Sequence, residues 1–450
     1  MASPETPAAP AVSVDCDVLV IGGGPAGSTA STLLARRGWH VVMLEKDAHP
    51  RFHIGESLLP MNLPILERLG VLDQVRAIGV YKAGADFPVH LPDRPWDGST
   101  HVFRFDRALS PKFGHAYQVR RSEFDQLLFE HARDSGVDAR ERTRVRRVDC
   151  DDAGRPAQVH ATGADGQALV FRPRYLVDAS GRDTFLGSRF KLKQKSARHQ
   201  SAAIFSHFRG VRMREGEDAG NITVDRFEYG WYWLIPLRDG VMSVGAVCFP
   251  EYLKQRRGDN EAFLMQTLQR TPSVRERMHG AERVAPVHAT GNYSYQCSRM
   301  HGPGWVMAGD AFAFIDPVFS SGVFLAMSSA FMAVDTAQAC LEQPAASTAA
   351  MRAYERRIRK GPQEFTWFIE RMTQPAMREL FMYPRNPLRS REAVMSILAG
   401  DIYRSTPYKA SLMAFKSFYY MNLMRNPLAT IRSWRSRKHN IRDVALEADA

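Results

Sequence analysis

The 450-residue chain contains only five cysteines, Cys16, Cys150, Cys248, Cys297 and Cys340, far apart and with no Cys-x-x-Cys pair. That spacing argues against a disulfide framework and against a metal centre, and it suits a reducing, cytoplasmic setting. Cys16 stands where a first strand should begin and reads as a small buried hydrophobe. Long apolar runs are missing as well, since none reaches the length of a membrane span. The first 14 residues are rich in Ala and Pro and have no basic leader segment, so they read as a disordered tail rather than a secretory signal. Acid is the charge in short supply: 48 Asp and Glu face 60 Lys and Arg, a net +12. Residues 351–450 hold 19 Lys and Arg against nine Asp and Glu, a local +10. The plain reading is a solvated basic face. The functional readings are an acidic protein partner or an anionic membrane surface. No nucleic-acid-binding motif accompanies the charge, so nucleic acid is not an expected partner.

What is present begins at Asp15. Val18 to Ile21 is a short apolar run that reads as a buried parallel strand, and Gly22, Gly24 and Gly27 follow at G-x-G-x-x-G spacing. Gly22 suits the tight turn, Gly24 lets backbone approach a pyrophosphate, and Gly27 lets helix pack on strand. Ser28 to Arg37 reads as the helix, whose N-terminal N–H groups and dipole face the phosphates. A second strand, His40 to Leu44, ends at Glu45, eighteen residues past Gly27, where a carboxylate can accept hydrogen bonds from a ribose. Strand, glycines, helix, strand and acid in that order mark a dinucleotide-binding unit, leaving FAD and NAD both open.

Further along, Gly55-Glu56-Ser57 is a loop beside this unit, and Pro60 opens a helix with Leu63, Leu66 and Leu69 on one face. Lys82, just before a strand, is the only charge between Arg76 and Asp86, and on its own reads as a surface lysine. Ser122 is positioned to cap a helix, with Asp125 as a capping-box acid, and Arg120 and Arg121 could meet a phosphate there. Tyr175 to Asp178 is another strand, ending in a glycine turn at Gly181. From about 190 to 290 the alternation of Ala202–Phe208, Trp231–Pro236 and Met242–Cys248 predicts an inserted, largely antiparallel sheet. Trp305 to Ala308 then runs into Gly309-Asp310-Ala311, and a helix is expected from Gly322 to Leu341. Its N-terminus beside a glycine loop is a natural anion site. The remainder, 349–450, reads as basic helices broken by prolines.

Gly22–Gly27 with Glu45, Asp178–Gly181 and Gly309–Ala311 resemble, in order, the three FAD-contact motifs of the glutathione-reductase-type flavoprotein monooxygenases. Trp231-x-Trp233-x-Ile235-Pro236 resembles the WxWxIP motif of flavin-dependent halogenases. Gly55-Glu56-Ser57-Leu58-Leu59-Pro60 is similar to the segment in halogenases of phenols and of carrier-tethered pyrroles. The resemblance implies an α/β fold with a glutathione-reductase-type, Rossmann FAD-binding domain, an inserted mostly antiparallel substrate sheet and a helical C-terminal region. The expected division is tail 1–14, FAD-binding parts 15–190 and 296–345, substrate sheet 191–295 and basic helical region 346–450.

It also implies roles. FAD would lie against Gly22, Gly24, Pro25, Ala26, Gly27, Glu45, Lys46, Arg51, Ser57, Arg121, Asp178, Gly181, Gly309, Asp310, Pro317, Gly322 and Val323. Ser320, Ser321 and Gly322 match the loop that holds halide, where the plain reading is a helix cap. Lys82 falls at the family's catalytic lysine. Trp231, Trp233, Ile235 and Pro236 would separate flavin from substrate and suppress hydroxylation, against a plain reading as core. In the family, reduced FAD and O2 form a C4a-hydroperoxide, chloride or bromide becomes hypohalous acid, and the lysine passes halogen to an aromatic ring. The cofactor does the hard chemistry, and a buried lysine supplies neutral amine. With no second nucleotide fingerprint, a partner flavin reductase is expected to supply FADH2. Phe319 stands where tryptophan halogenases place a glutamate, which favours a phenol or an aryl or pyrrole group on an acyl-carrier protein over free tryptophan. The alternatives on the same fold are a single-component aromatic hydroxylase, a prenyl or polyene reductase, or a catalytically silent FAD-binding docking protein. An acidic carrier, with a membrane surface as rival, is the expected partner of Arg432, Arg435, Arg437, Lys438, Trp434 and the Phe418–Tyr420 run.

Overall fold

The computed structural model describes residues 12–90, 96–195, 201–291, 294–314, 316–371, 376–377, 380, 386–404 and 406–425. The first sheet grows from β1 (Val12–Ile21), whose Val18, Leu19 and Val20 are fully buried. β1 therefore starts inside the expected tail: Val12 pairs with Leu169, which makes residues 12–14 part of the sheet. A turn at Gly22, with φ +101°, leads into α1 (Pro25–Ala35), which begins three residues earlier than its periodicity indicates because Pro25 occupies its first turn. The buried face of α1 is almost entirely Ala, Ser and Thr, side chains short enough for another helix to approach closely. β2 (Val41–Leu44) returns parallel to β1.

The chain then leaves the sheet. β3 (Val80–Lys82) precedes β4 (Gly84–Pro88) and β5 (Thr100–Arg104), and β6 (Ala116–Gln118) pairs with β3 in a two-stranded ladder. α2 (Arg121–Asp134) carries it back. Its N-cap is Arg120, not Ser122, and no side chain caps it. Asp125 instead accepts both Arg121 Nε at 2.7 Å and Nη2 at 2.9 Å, a two-pronged ion pair that outcompetes a lone amide for the carboxylate. β7 (Asp138–Arg140) and β8 (Ala168–Asp178) complete the parallel sheet with β13, in the order β13-β8-β1-β2-β7, where β13 is Trp305–Met307.

The second sheet is built from β9 (Ala202–Arg209), β10 (Ile222–Phe227), β11 (Gly230–Pro236) and β12 (Val241–Cys248). Its order is β9-β12-β11-β10-β4-β5, antiparallel apart from the β10–β4 pair. The sheet thus reaches outside 191–295: β4 and β5, from the stretch expected to belong to the FAD-binding part, form its far edge. Gly84 permits that pairing, since a Cβ there would lie 2.2 Å from the Phe103 carbonyl oxygen.

α3 (Gly322–Glu342) packs on α1, and it buries Ser329, Ala330, Ala333 and Ala337. It is the one described helix long and apolar enough to cross a membrane, and most of it is buried in the protein core. α4 (Ser347–Lys360), α5 (Pro362–Ile369), α6 (Ser390–Leu398) and α7 (Lys409–Arg425) follow. Arg432, Trp434, Arg435, Arg437 and Lys438 lie outside the described residues. In the expected aromatic run, Tyr419 is buried in the core and only Tyr420 is exposed.

Candidate active site

A cavity of about 450 Å³ opens between the carboxyl ends of β1, β2 and β8 and the inner face of the second sheet. Gly22, Gly24, Pro25, Ala26, Glu45, Lys46, Arg51, Ser57, Arg121, Gly181, Asp310, Pro317, Ser320, Ser321, Gly322 and Val323 all line it, with Trp231, Trp233 and Ile235 opposite. Residues spread over 300 positions of sequence are thereby gathered on one wall.

Five expected residues do not line it. Gly27 sits behind the turn, where a Cβ would lie 1.8 Å from the Gly22 carbonyl oxygen, so its role is helix-on-strand packing. Asp178 is fully buried, and its two oxygens accept Ser180 N–H at 3.0 Å and Leu186 N–H at 2.7 Å; it braces the turn that carries Gly181. Gly309 has φ +60° and donates its N–H to Ser329 Oγ at 2.8 Å, fixing the loop onto α3. Pro236 ends β11 opposite Met242. Lys82 lies one side chain away from the cavity.

The wall is built for an anion. α1 points its N-terminus into the cavity with Gly24 as N-cap, no side-chain cap and no acid in its first turn. Its first N–H groups have no side-chain cap among the described residues, and its positive dipole end faces the cavity. A Cβ on Gly24 would meet only Arg51 Nη2, at 3.6 Å, so the glycine leaves an open cradle next to a guanidinium. Arg51 lies 3.5 Å from Glu45 and 3.6 Å from Asp125, and its Nε is buried with no hydrogen-bond partner among the described residues. Glu45 accepts Gly23 N–H at 2.8 Å and Asp47 N–H at 3.0 Å, which fixes its carboxylate at the cavity edge. Lys46 is bound to Asp183 across the rim. Asp310 has its carboxyl pushed up to about 6 by burial, with Arg121 and Arg182 pulling the other way. Burial next to Arg121 drives His53, also on the wall, down to about 4, so that ring stays neutral.

A second helix N-terminus converges on the same space. Ser320, at φ +55°, turns the chain into α3, whose N-cap Ser321 provides no side-chain cap. Asp316 caps the preceding turn by accepting Val318 N–H at 3.1 Å, and burial raises its carboxyl to about 6. Phe319 is buried against Phe368, so no acid occupies that position. Facing the loop, Trp231 and Trp233 project from one side of β11, and Trp233 Nε1 donates to Ser243 Oγ at 3.1 Å. Gly245 makes room for the ring, since a Cβ there would lie 2.3 Å from it.

Lys82 ends β3 and is 1% exposed. Its Nζ donates to Ser57 Oγ at 2.8 Å and to the Leu58 carbonyl at 2.9 Å, and it stands 5.2 Å from the Phe105 ring centroid. Burial, with no carboxylate to offset it, lowers its pKa from 10.5 to about 7. The surface reading of this lysine is therefore wrong.

Sequence reasoning missed Glu56. Its carboxylate, 1% exposed on the cavity wall, accepts from His207 Nε2 on β9 at 2.8 Å, and its other oxygen has no partner among the described residues. Phe52, stacked on His288 at 4.1 Å between ring centroids, was also missed.

Residues 15–367 match the family model described as an FAD binding domain. A flavin-dependent halogenase of Penicillium aethiopicum is 32% identical over 385 residues, covering 80% of this chain and 70% of that relative. The chain belongs to the flavin-dependent halogenases. It is an FAD-dependent enzyme of the class that halogenates aromatic compounds. A tryptophan 2-halogenase of Chondromyces crocatus is 34% identical over 75% of this chain, which spans 64% of that relative's length. A pyrrole-2-carbonyl-[peptidyl-carrier protein] chlorinase of Pseudomonas fluorescens is 28% identical, with 86% and 90% covered. The solved myxobacterial chondrochloren halogenase superposes with a TM-score of 0.74 at 30% identity, covering 91% of this chain and 97% of that one.

Proposed function

We propose that this halogenase installs chloride or bromide on an electron-rich phenol, or on an aryl or pyrrole group tethered to a carrier protein, and that Lys82 delivers the halogen. The observation that carries this reading is a fully buried lysine with no acid partner, brought to near-neutral pKa and hydrogen-bonded to a residue of the flavin cavity. The cavity fits FAD, because the open cradle at Gly24, the orphaned Nε of Arg51 and the uncapped N-terminus of α1 together suit a pyrophosphate. Reduced FAD, when bound, supplies the electrons with which O2 oxidises halide to hypohalous acid.

The chain's own residues do the rest. Backbone N–H groups at Ser321 and Gly322 hold halide at the start of α3, while Ser320 gives its own N–H to the Pro317 carbonyl at 2.9 Å and shapes the turn. Trp231, Trp233 and Ile235 wall the cavity so that the aromatic ring does not meet the flavin. Asp178 and Gly309 brace the turns behind it. The neutral Lys82 amine takes halogen from hypohalous acid, forming an N–halogen bond and releasing water. The ring then attacks that halogen, the N–halogen bond breaks with its electron pair going to nitrogen, which takes a proton from water to return the amine, and the ring proton goes back to that water. With one nucleotide fingerprint in the sequence, a partner reductase supplies FADH2.

Phe319 and the carrier-dependent relative support the phenol or carrier-bound class. Free tryptophan is the second reading, favoured by the tryptophan 2-halogenase relative. The test is Lys82→Ala given reduced FAD, bromide and a panel of phenols, tryptophan and pyrrole-carrier thioester, read by mass spectrometry. Halogenated product should vanish while flavin reoxidation keeps the wild-type rate. Full halogenation by the variant would remove Lys82 from the chemistry.

A further inference from the structure

α7 is apolar on both faces. Leu412, Phe415 and Tyr419 point inward and are buried. Outward, Met413 is 68% exposed, Tyr420 46%, Met421 51% and Met424 73%. Those positions fall on one stripe of a helix, with exposed Ala410 before them and exposed Ser417 between them. Leu388, also exposed, sits on the Pro387–Arg389 turn that packs against the same helix. A contiguous exposed apolar stripe of this kind marks an interaction surface.

Its charge selects the occupant. α7 carries Lys409, Lys416 and Arg425 and no Asp or Glu. A second copy of the chain in a two-fold contact would set these bases against themselves. A helix lying on lipid uses Trp, Phe and Leu, whereas three of the four large side chains here are methionine, the flexible side chain of adaptable protein interfaces. The fit is to an acidic protein.

The inner face of α7 connects that surface to the halide loop. Phe415 packs on Phe368 at 5.5 Å between ring centroids, and Phe368 meets Phe319 at 6.4 Å. Phe319 precedes Ser320 directly. One aromatic side chain, Phe368, thus bridges α7 and the residue that enters the loop turning into α3. We propose that the outer face of α7 is the docking surface for an acidic carrier protein that presents the aromatic substrate on its prosthetic arm. This rests on the carrier-bound reading of the substrate.

The test uses the full-length holoenzyme and a purified acidic carrier protein bearing a pyrrole-2-carbonyl thioester, beside a free phenol. The Met421→Asp, Met424→Asp double variant should raise KM for the carrier substrate tenfold or more. Its kcat, and its turnover of the free phenol, should stay at wild-type values. Met421→Lys with Met424→Lys removes the same apolar contacts but keeps the basic sign of the face, so it should raise KM for the carrier substrate distinctly less than the Asp pair does. An unchanged KM in the Asp pair overturns the dock while leaving the carrier reading intact. Equal losses on both substrates in both pairs make the face structural and overturn it too. Wild type that halogenates the phenol and ignores the carrier overturns the carrier reading, and the dock with it. Vesicles of phosphatidylserine and phosphatidylcholine form the last arm: binding that the Asp pair abolishes, with carrier KM unmoved, assigns the face to membrane instead.

Discussion

Lys82 should leave a pH signature on stability as well as on catalysis. Its pKa falls from 10.5 to about 7 on folding because burial strips water from the ammonium. At about 1.4 kcal/mol per unit, the buried charged form is disfavoured by about 5 kcal/mol. The sign follows from linkage. Between pH 7 and 10.5 the unfolded chain binds a proton that the native chain lacks, so this group's contribution to stability rises with pH across that window. Below pH 7 both states are protonated and the whole penalty stands. Lys82→Met removes the titration. It also strips Ser57 Oγ and the Leu58 carbonyl of a donor, a loss of about 1–3 kcal/mol that does not vary with pH. The informative quantity is therefore the difference in Tm between variant and wild type, followed from pH 6.5 to 9.5 by differential scanning calorimetry. About 2 cal/mol/K per residue over 450 residues gives an unfolding entropy of about 0.9 kcal/mol/K. The difference should shrink by about 4 °C across that range as the penalty is relieved in the wild type. A difference flat to within about 1 °C would mean that Lys82 is not a neutral buried amine. The capture of halogen by that amine would then lose its physical basis.

Two other substitutions test the cavity. Gly27→Ala places a Cβ 1.8 Å from the Gly22 carbonyl oxygen, so the turn and α1 must separate; FAD titration followed by flavin fluorescence should show no saturable binding. Asp125→Asn leaves Arg121 without its carboxylate and Arg51 with Glu45 alone, and should cost about 3–5 kcal/mol at pH 7 in urea denaturation. Because Arg121 holds the Asp125 carboxyl below its usual 3.8, that deficit should be full above pH 4 and fade as the pH drops through the lowered value.

The parts of the site that could be read in advance are those whose chemistry is local. Gly22, Gly24 and Gly27 report a turn because three residues in a row of six meet constraints imposed within that same row. Asp178 and Gly309, expected to touch FAD, lie behind the cavity wall and brace turns, a distinction that depends on where Leu186 N–H and Ser329 Oγ lie in space. Ser122 illustrates the opposite error: the cap pattern is local and real, but Arg121 stands four residues from Asp125 on the same helix face and takes its carboxylate. The extent of the inserted sheet was illegible for a related reason. β4 and β5 precede the insertion by a hundred residues and join it only through the β10 edge, and period-two alternation says nothing about which sheet a strand enters.

Glu56 and His207 mark the limit most clearly, because 151 residues separate them, and the alternation that marks the strand of His207 says nothing of its partner. Once folded, the pair ties the Gly55–Leu59 loop to β9. The same loop hands Ser57 Oγ and the Leu58 carbonyl to Lys82, and the Glu56 carbonyl accepts Val119 N–H at 2.7 Å next to β6. β6 in turn pairs with β3, so that Lys82 stands opposite Ala116. The position of the lysine is therefore set twice, by its own strand and by a loop clamped to the substrate sheet. A short extended run carrying one charge could show that a lysine was present at 82. Only the closure of this loop, strand and sheet into one hydrogen-bonded circuit makes that lysine buried, free of an acid partner among the described residues and adjacent to the cavity, which is the combination the proposed chemistry requires.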